Sequence, residues 1–191
     1  MKLSAIEVAT PTYSAAPEEV IEAATEWLGE GTPEHALFLR YLRSSRTLNR
    51  NFVRPPLEIV RLKGSKQRAE IFEQEARRLA LEATQQVLET TKTSPQDIDA
   101  LIFTSCTCPL IPAPDTYIID SLGLRRDIIR IPSYQYGCAG GIIGLGLGNR
   151  VGAGKRNVLL VSAELCSLIF QHDNRTAAQL VGASIFGDGA A

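Results

Sequence analysis

A change of hydrophobic period part-way along the chain narrows the folds open to it. Over residues 66–91, Ala69, Phe72, Ala76, Leu79, Ala80, Ala83, Val87 and Leu88 recur at steps of three and four, the spacing of one helix face. Arg, Glu and Gln fill the opposite face. Beyond this stretch the period is lost: Ala100–Thr104 and Val158–Val161 are short continuous apolar runs, and Ser184–Phe186 reads as the start of a third. Ile128–Pro132 is strand-like as well. Runs of this kind, bounded by turns, suit strands buried on both faces. Helical stretches lie between them, and alternating strands and helices predict α/β layering.

The rest of the chain fits that scheme. Leu3–Val8 alternates partly with period two and reads as a short strand ending at Thr10-Pro11. Pro17 opens an acidic helix to Leu28, closed by Gly29 and Gly31. A second helical segment spans Pro33–Asn49, and Arg54-Pro55-Pro56 breaks it because proline cannot continue a helix interior. Ser94-Pro95 supplies an N-cap with proline at the first helical position.

The chain has 191 residues, which predicts one domain or part of a larger one, and a formal net charge of −1. No basic field exists to hold nucleic acid or an anionic membrane. The longest nearly apolar run, Tyr136–Gly148, is too short for a bilayer crossing of about 20 residues. The N-terminus lacks an apolar signal core, so a cytoplasmic protein is expected. Cys106, Cys108, Cys138 and Cys166 are then expected as free thiols. A metal site is not expected: Cys106-x-Cys108 stands alone, with His35 and His172 distant in sequence.

Chemistry points to Tyr136–Gly144, which contains Gly137-Cys138-Ala139-Gly140-Gly141. The glycine-rich run after Cys138 reads as a helix buried on all sides, with glycines admitting a second backbone. A cysteine at such a helix start gains thiolate character from the macrodipole and unpaired N–H groups, and a thiolate is an acyl acceptor. Cys138 also reads as a small core residue, and spacing leaves both open. Two nucleotide-binding readings fail: Gly144-x-Gly146 lacks its third glycine, and Gly154-Lys155 lacks the first glycine and the Ser or Thr of a phosphate loop. Arg40, Arg43 and Arg46, three apart, form either a solvated face or an anion-binding edge. Glu164 follows a strand and reads as a buried carboxylate with a structural partner. Asp188 lies in Gly187–Ala191, which reads as a turn leading into a strand that the sequence does not supply; Asp188 itself reads as a turn residue or a loop support. His172 reads as a surface residue.

Several segments, in order, resemble the N-terminal half of the type III polyketide synthases, the chalcone and stilbene synthase family. They are Ile98–Ser105, Pro112–Asp115 with Leu122-Gly123-Leu124, Gly137–Gly141, Ala163–Leu168 and Leu180–Ala191 with its Phe186-Gly187-Asp188-Gly189. The resemblance covers nearly the whole chain. It implies a thiolase-like, layered α/β/α lobe over residues 1–191, stopping before a C-terminal lobe. Cys138 is then the nucleophile that takes an acyl starter from coenzyme A. Malonyl-CoA supplies the extension units, and no cofactor is needed beyond these thioester substrates. Phe186, Cys106, Cys166 and Leu168 line the substrate cavity, and Ile111 reaches across a homodimer interface. Arg40, Arg43 and Arg46 fall where the family holds CoA phosphates.

Two departures qualify that match. The family's catalytic His and Asn belong to a C-terminal half and match no position here, so the 191-residue piece alone is expected to condense little or nothing. The motif after Cys138 is also one residue shorter than in plant members, and cysteines stand at positions 106 and 166, which favours a bacterial type. Two other readings stay open. One is a ketoacyl synthase III-like enzyme, and the other a half-length protein that binds acyl-CoA or a partner without catalysis.

Overall fold

The computed structural model describes residues 2–154 and 156–191; Lys155, of the rejected phosphate-loop reading, lies outside them. The chain divides into two compact units. The first comprises residues 1–9, 72–164 and 189–191, and the second residues 10–71 and 165–188.

In the second unit, strands β1 (Tyr13–Ala15) and β2 (Arg50–Phe52) pair antiparallel, Tyr13 opposite Phe52. Helix α1 (Pro17–Leu28) starts as proline and the acidic first turn dictate, and the Glu19 carboxylate accepts the Ala16 N–H at 2.9 Å. Helix α2 (Pro33–Ser45) is capped by Thr32 Oγ1, which accepts the His35 N–H. It ends four residues earlier than the sequence predicts. Ser45 Oγ donates to the Leu42 carbonyl and accepts the Thr47 N–H, so the side chain takes a proton the helix would need. Arg46 follows with φ 54°. Helix α3 (Pro56–Arg61) begins inside the segment read only as a break, because a proline at the first helical position is tolerated.

Helix α4 (Gly64–Thr91) is the long amphipathic helix, burying Phe72, Ala76, Leu79, Ala80, Ala83 and Leu88 as the period requires. In the first unit follow β3 (Ile98–Ser105), α5 (Pro114–Leu122), β4 (Ile129–Tyr134), α6 (Gly140–Val151) and β5 (Asn157–Leu165). Both β4 and β5 run parallel to β3. The remaining elements are α7 (Ala177–Ile185) and β6 (Asp188–Ala190), and the sheet order is β4-β3-β5-β6. Residues Ala100–Phe103 of β3 are wholly buried, as expected of a central strand. The buried carboxylate of Asp115 on α5 is held by both Nε and Nη2 of Arg130 on β4.

Three expectations are overturned. Leu3–Val8 forms no ladder: Leu3, Ile6 and Val8 are exposed, and the only pairing nearby is the single Ala9–Ala190 bridge. Ser184–Phe186 does not start a strand. Ser184 and Ile185 belong to α7, where Ser184 Oγ donates to the Val181 carbonyl, and the strand is Asp188–Ala190. A short apolar run cannot be told from a buried helix by period alone. Helix α6 is not buried on all sides; Gly140, Gly144 and Gly148 pack inward while Ile142 is 73% exposed. Among the described residues, no helix is long and apolar enough to cross a membrane.

The glycine stripe sets how closely α6 approaches the sheet. A Cβ at Gly144 would lie 2.5 Å from a Leu160 methyl and 3.3 Å from the Thr104 methyl. Gly144→Leu is therefore expected to lower unfolding free energy by about 2 kcal/mol through overpacking. Urea denaturation checks this, and a wild-type midpoint would mean that the helix has room to shift.

Candidate active site

The sharp turn that ends β4 presents Cys138. Gln135 and Gly137 adopt φ of 66° and 56°, which turns the chain from strand into the 3₁₀ turn Gly137–Ala139 and directly into α6. Position 137 suits glycine because that φ is left-handed. Cys138 is exposed in this turn, which runs directly into α6, the helix's first residue Gly140 donating its N–H to the Gly137 carbonyl.

The loop after β3 faces the same place. Glu164, near the end of β5, clamps it: its carboxylate accepts the Cys106 N–H at 2.8 Å, the Thr107 N–H at 3.1 Å and the Thr107 hydroxyl at 2.6 Å. Ser105 Oγ accepts the Cys108 N–H at 3.1 Å. Burial pushes the Cys106 thiol up to about 11, helped by the charge of Glu164, a hydrogen bond to it and the charge of Cys138. The sheet unit thus brings Cys106 and Cys138 together. Cys108 is also raised, chiefly by burial. The structural partner expected for Glu164 is this loop backbone. Ile111, in the same unit, is 99% exposed.

The other predicted site residues belong to the second unit. Cys166 and Phe186 line a cavity of about 300 Å³ together with Trp27, Phe38, Phe52 and Phe170. Leu168 is buried nearby in sequence but does not line it. Arg40 and Arg43 are exposed on α2, whereas Arg46 lies beyond the helix, so the three-residue spacing does not place all three on one helical face. His172 is exposed, as its polar loop predicts, and its backbone carbonyl accepts the Trp27 indole N–H at 2.7 Å. His35 is buried and bonded to Thr25. Among the described residues, no three His, Cys, Asp or Glu side chains are grouped as metal ligands would be.

Sequence reasoning missed how far Asp188 is from a simple turn residue. It is buried and accepts the Val53 N–H (2.9 Å), the Ser167 N–H (2.9 Å) and the Ser167 hydroxyl (2.6 Å). Arg50, equally buried, donates from Nη1 to the carbonyls of Ala183 and Phe186, closing the end of α7. Desolvation pushes Arg50 down to about 10 despite the nearby charge of Asp188. The only sequence signal was an aspartate between two glycines, and an arginine 138 positions earlier offered nothing to pair with it.

A layered α/β lobe with an exposed cysteine in the turn that opens a helix is the arrangement of the thiolase-like condensing enzymes. Residues 39–191 match the family model for chalcone and stilbene synthases, N-terminal domain, and the chain belongs to that family. It is 29% identical over 183 residues to 1,3,6,8-tetrahydroxynaphthalene synthase of Streptomyces griseus, covering 95% of this chain and 49% of that protein. It is 31% identical over 159 residues to phloroglucinol synthase of Pseudomonas fluorescens, covering 82% and 45%. The crystal structure of 1,3,6,8-tetrahydroxynaphthalene synthase from Streptomyces coelicolor superposes with a TM-score of 0.89 at 27% identity, over 96% of this chain and 53% of that one. The chain spans about half the length of the curated relatives it matches.

Proposed function

We propose that the chain carries the acyl-accepting half of a type III polyketide synthase, with Cys138 as the nucleophile. The observation that carries this is the placement of Cys138. It is the exposed thiol of the strand-to-helix turn, inside the region matched to the family's N-terminal domain. The Cys138 thiolate attacks the carbonyl of an acyl-CoA thioester, and the C–S bond to coenzyme A breaks. Coenzyme A leaves as its thiolate and takes up a proton, while the acyl group stays on Cys138. Malonyl-CoA then loses CO₂, and the enolate carbon attacks the Cys138 thioester, forming the C–C bond and releasing the cysteine thiolate. The cysteine at 106, held by Glu164, forms part of the cavity wall beside the nucleophile. In the second unit, Cys166 and Phe186 line the apolar cavity. Exposed Arg40 and Arg43 are the candidates for the CoA phosphates. Exposed Ile111 is the candidate contact of a homodimer.

The test is acyl transfer followed by intact mass. Incubation with butyryl-CoA is expected to add one butyryl group, removable by hydroxylamine and mapped to Cys138. Cys138→Ala should take up none. Equal labelling of Cys106 or Cys166, or labelling that survives the substitution, would overturn the assignment. With malonyl-CoA added, this chain alone is expected to yield little or no condensation product.

A further inference from the structure

A pair of hydroxyl side chains lies in the sheet against the start of α6. Thr104 of β3 and Ser162 of β5 stand opposite each other in the parallel register, and their side-chain oxygens share a hydrogen bond of 2.7 Å. One step back on the same face the opposed pair, Ile102 and Leu160, is apolar. A second apolar pair at 104 and 162 would pack as well, since exchanging both partners of a hydrogen bond for hydrocarbon of the same shape costs little stability. The hydroxyls therefore call for another reason.

Their place supplies one. Thr104 is 2% exposed and packs on the glycine face of α6. A Cβ at Gly140 would lie 3.6 Å from Thr104 Oγ1, and one at Gly144 would lie 3.3 Å from Thr104 Cγ2. The hydroxyl thus seats the first turn of the helix and the methyl seats the second. A β-branched side chain has few χ1 states, and turning Thr104 to another would move the hydroxyl away from Gly140. The bond to Ser162 selects the state observed. Ser162 is itself fixed, because its N–H and its carbonyl both bond to Ala191, at 2.7 and 2.9 Å. Gly140 is also the residue whose N–H closes the 3₁₀ turn Gly137–Ala139 on the Gly137 carbonyl. A displacement of Gly140 is therefore passed to Cys138, two residues before it.

We infer that Thr104 and Ser162 are positioning residues: their hydrogen bond holds the start of α6, and through it Cys138, in the orientation that meets a thioester carbonyl. The inference rests on Cys138 being the nucleophile proposed above. An attack geometry lost by a fraction of an ångström costs on the order of tenfold in rate.

Single-turnover butyrylation of Cys138, followed by mass over a range of butyryl-CoA concentrations, tests this. Thr104→Val keeps the shape and removes the hydroxyl; the limiting rate is expected to fall about tenfold with the half-saturating concentration unchanged. Thr104→Ser keeps the hydroxyl and loses the methyl; its rate is expected within about twofold of wild type although its urea midpoint drops. Thr104→Val combined with Ser162→Ala leaves neither hydroxyl without a partner, so its urea midpoint is expected near wild type while its rate stays about tenfold down. A Thr104→Val protein at the wild-type rate, a Thr104→Ser protein as slow as Thr104→Val, or a double variant that recovers the rate together with the midpoint would each overturn the inference and leave a packing role. If wild type itself takes up no butyryl group, the proposed function fails instead, and the seat is read from amide hydrogen exchange over residues 137–144. Exchange there is expected to be roughly fivefold faster in the double variant than in wild type, and equal rates would overturn the inference too.

Discussion

Asp188→Ala is expected to lower unfolding free energy by about 4 kcal/mol. The carboxylate is the acceptor for the Val53 and Ser167 N–H groups and for the Ser167 hydroxyl. Each buried donor left without an acceptor costs about 1–3 kcal/mol. Arg50 would also lose the opposite charge of Asp188 beside it, and a buried charge without its partner is costly. Guanidinium denaturation gives the value directly; a loss under 1 kcal/mol would show that water replaces the carboxylate. The pH dependence has a definite sign. Burial raises the Asp188 pKa, outweighing its donors and Arg50. The folded state then holds this proton more tightly than the unfolded chain. The linked stability is fully present below the unfolded value of about 3.9 and is lost as pH rises through the raised folded value. Asp188→Asn lacks that dependence, so the stability advantage of wild type over it should shrink as pH rises from about 4.

Glu164→Ala is expected to cost about 3 kcal/mol and to change cysteine chemistry as well. The Cys106 N–H would lose the Glu164 carboxylate as its acceptor, and the Thr107 N–H would lose its shorter contact there while keeping the one with Ser105 Oγ at 3.3 Å. Near pH 8 a thiol raised to about 11 reacts on the order of a hundredfold slower than an ordinary cysteine, because so little is thiolate. Removing Glu164 removes both its charge and its hydrogen bond, so Cys106 should alkylate with iodoacetamide at least tenfold faster in the variant. Residue-resolved mass spectrometry measures this. Unchanged Cys106 reactivity in a folded variant would show that burial alone holds the thiol up.

The central strands were legible in the sequence because burial on both faces leaves an unbroken apolar run, as at Ala100–Phe103. Helix α4 was legible because its buried residues keep the helical step from Phe72 to Leu88, about five turns. The three-residue strands β1 and β2 were not, since a strand of that length carries no period of its own. Arg50-Asn51-Phe52 looks like nothing until Tyr13–Ala15 lies beside it. Ser184–Phe186 was misread for a related reason: an apolar run of three fits a helix end as well as a strand. At the site, Cys138 and its turn were readable from glycines and order along the chain. The clamp on Cys106 was readable only as an isolated acid, because its partners are backbone N–H groups, which every sequence contains.

The units are not consecutive in the chain, and this bears on synthesis. Residues 10–71 share a unit with residues 165–188, and the sheet of the other unit takes its last strand from after that segment. On a ribosome, the early helices α1 to α3 wait for α7 while the intervening residues are made, a delay of roughly ten seconds. During that interval Trp27, Phe38 and Phe52 lack the Phe170 and α7 residues that share their cavity. The nascent chain therefore shows an aromatic surface for seconds, a time long enough for a chaperone to engage it and for ribosomal pausing between residues 72 and 164 to alter the yield of folded protein.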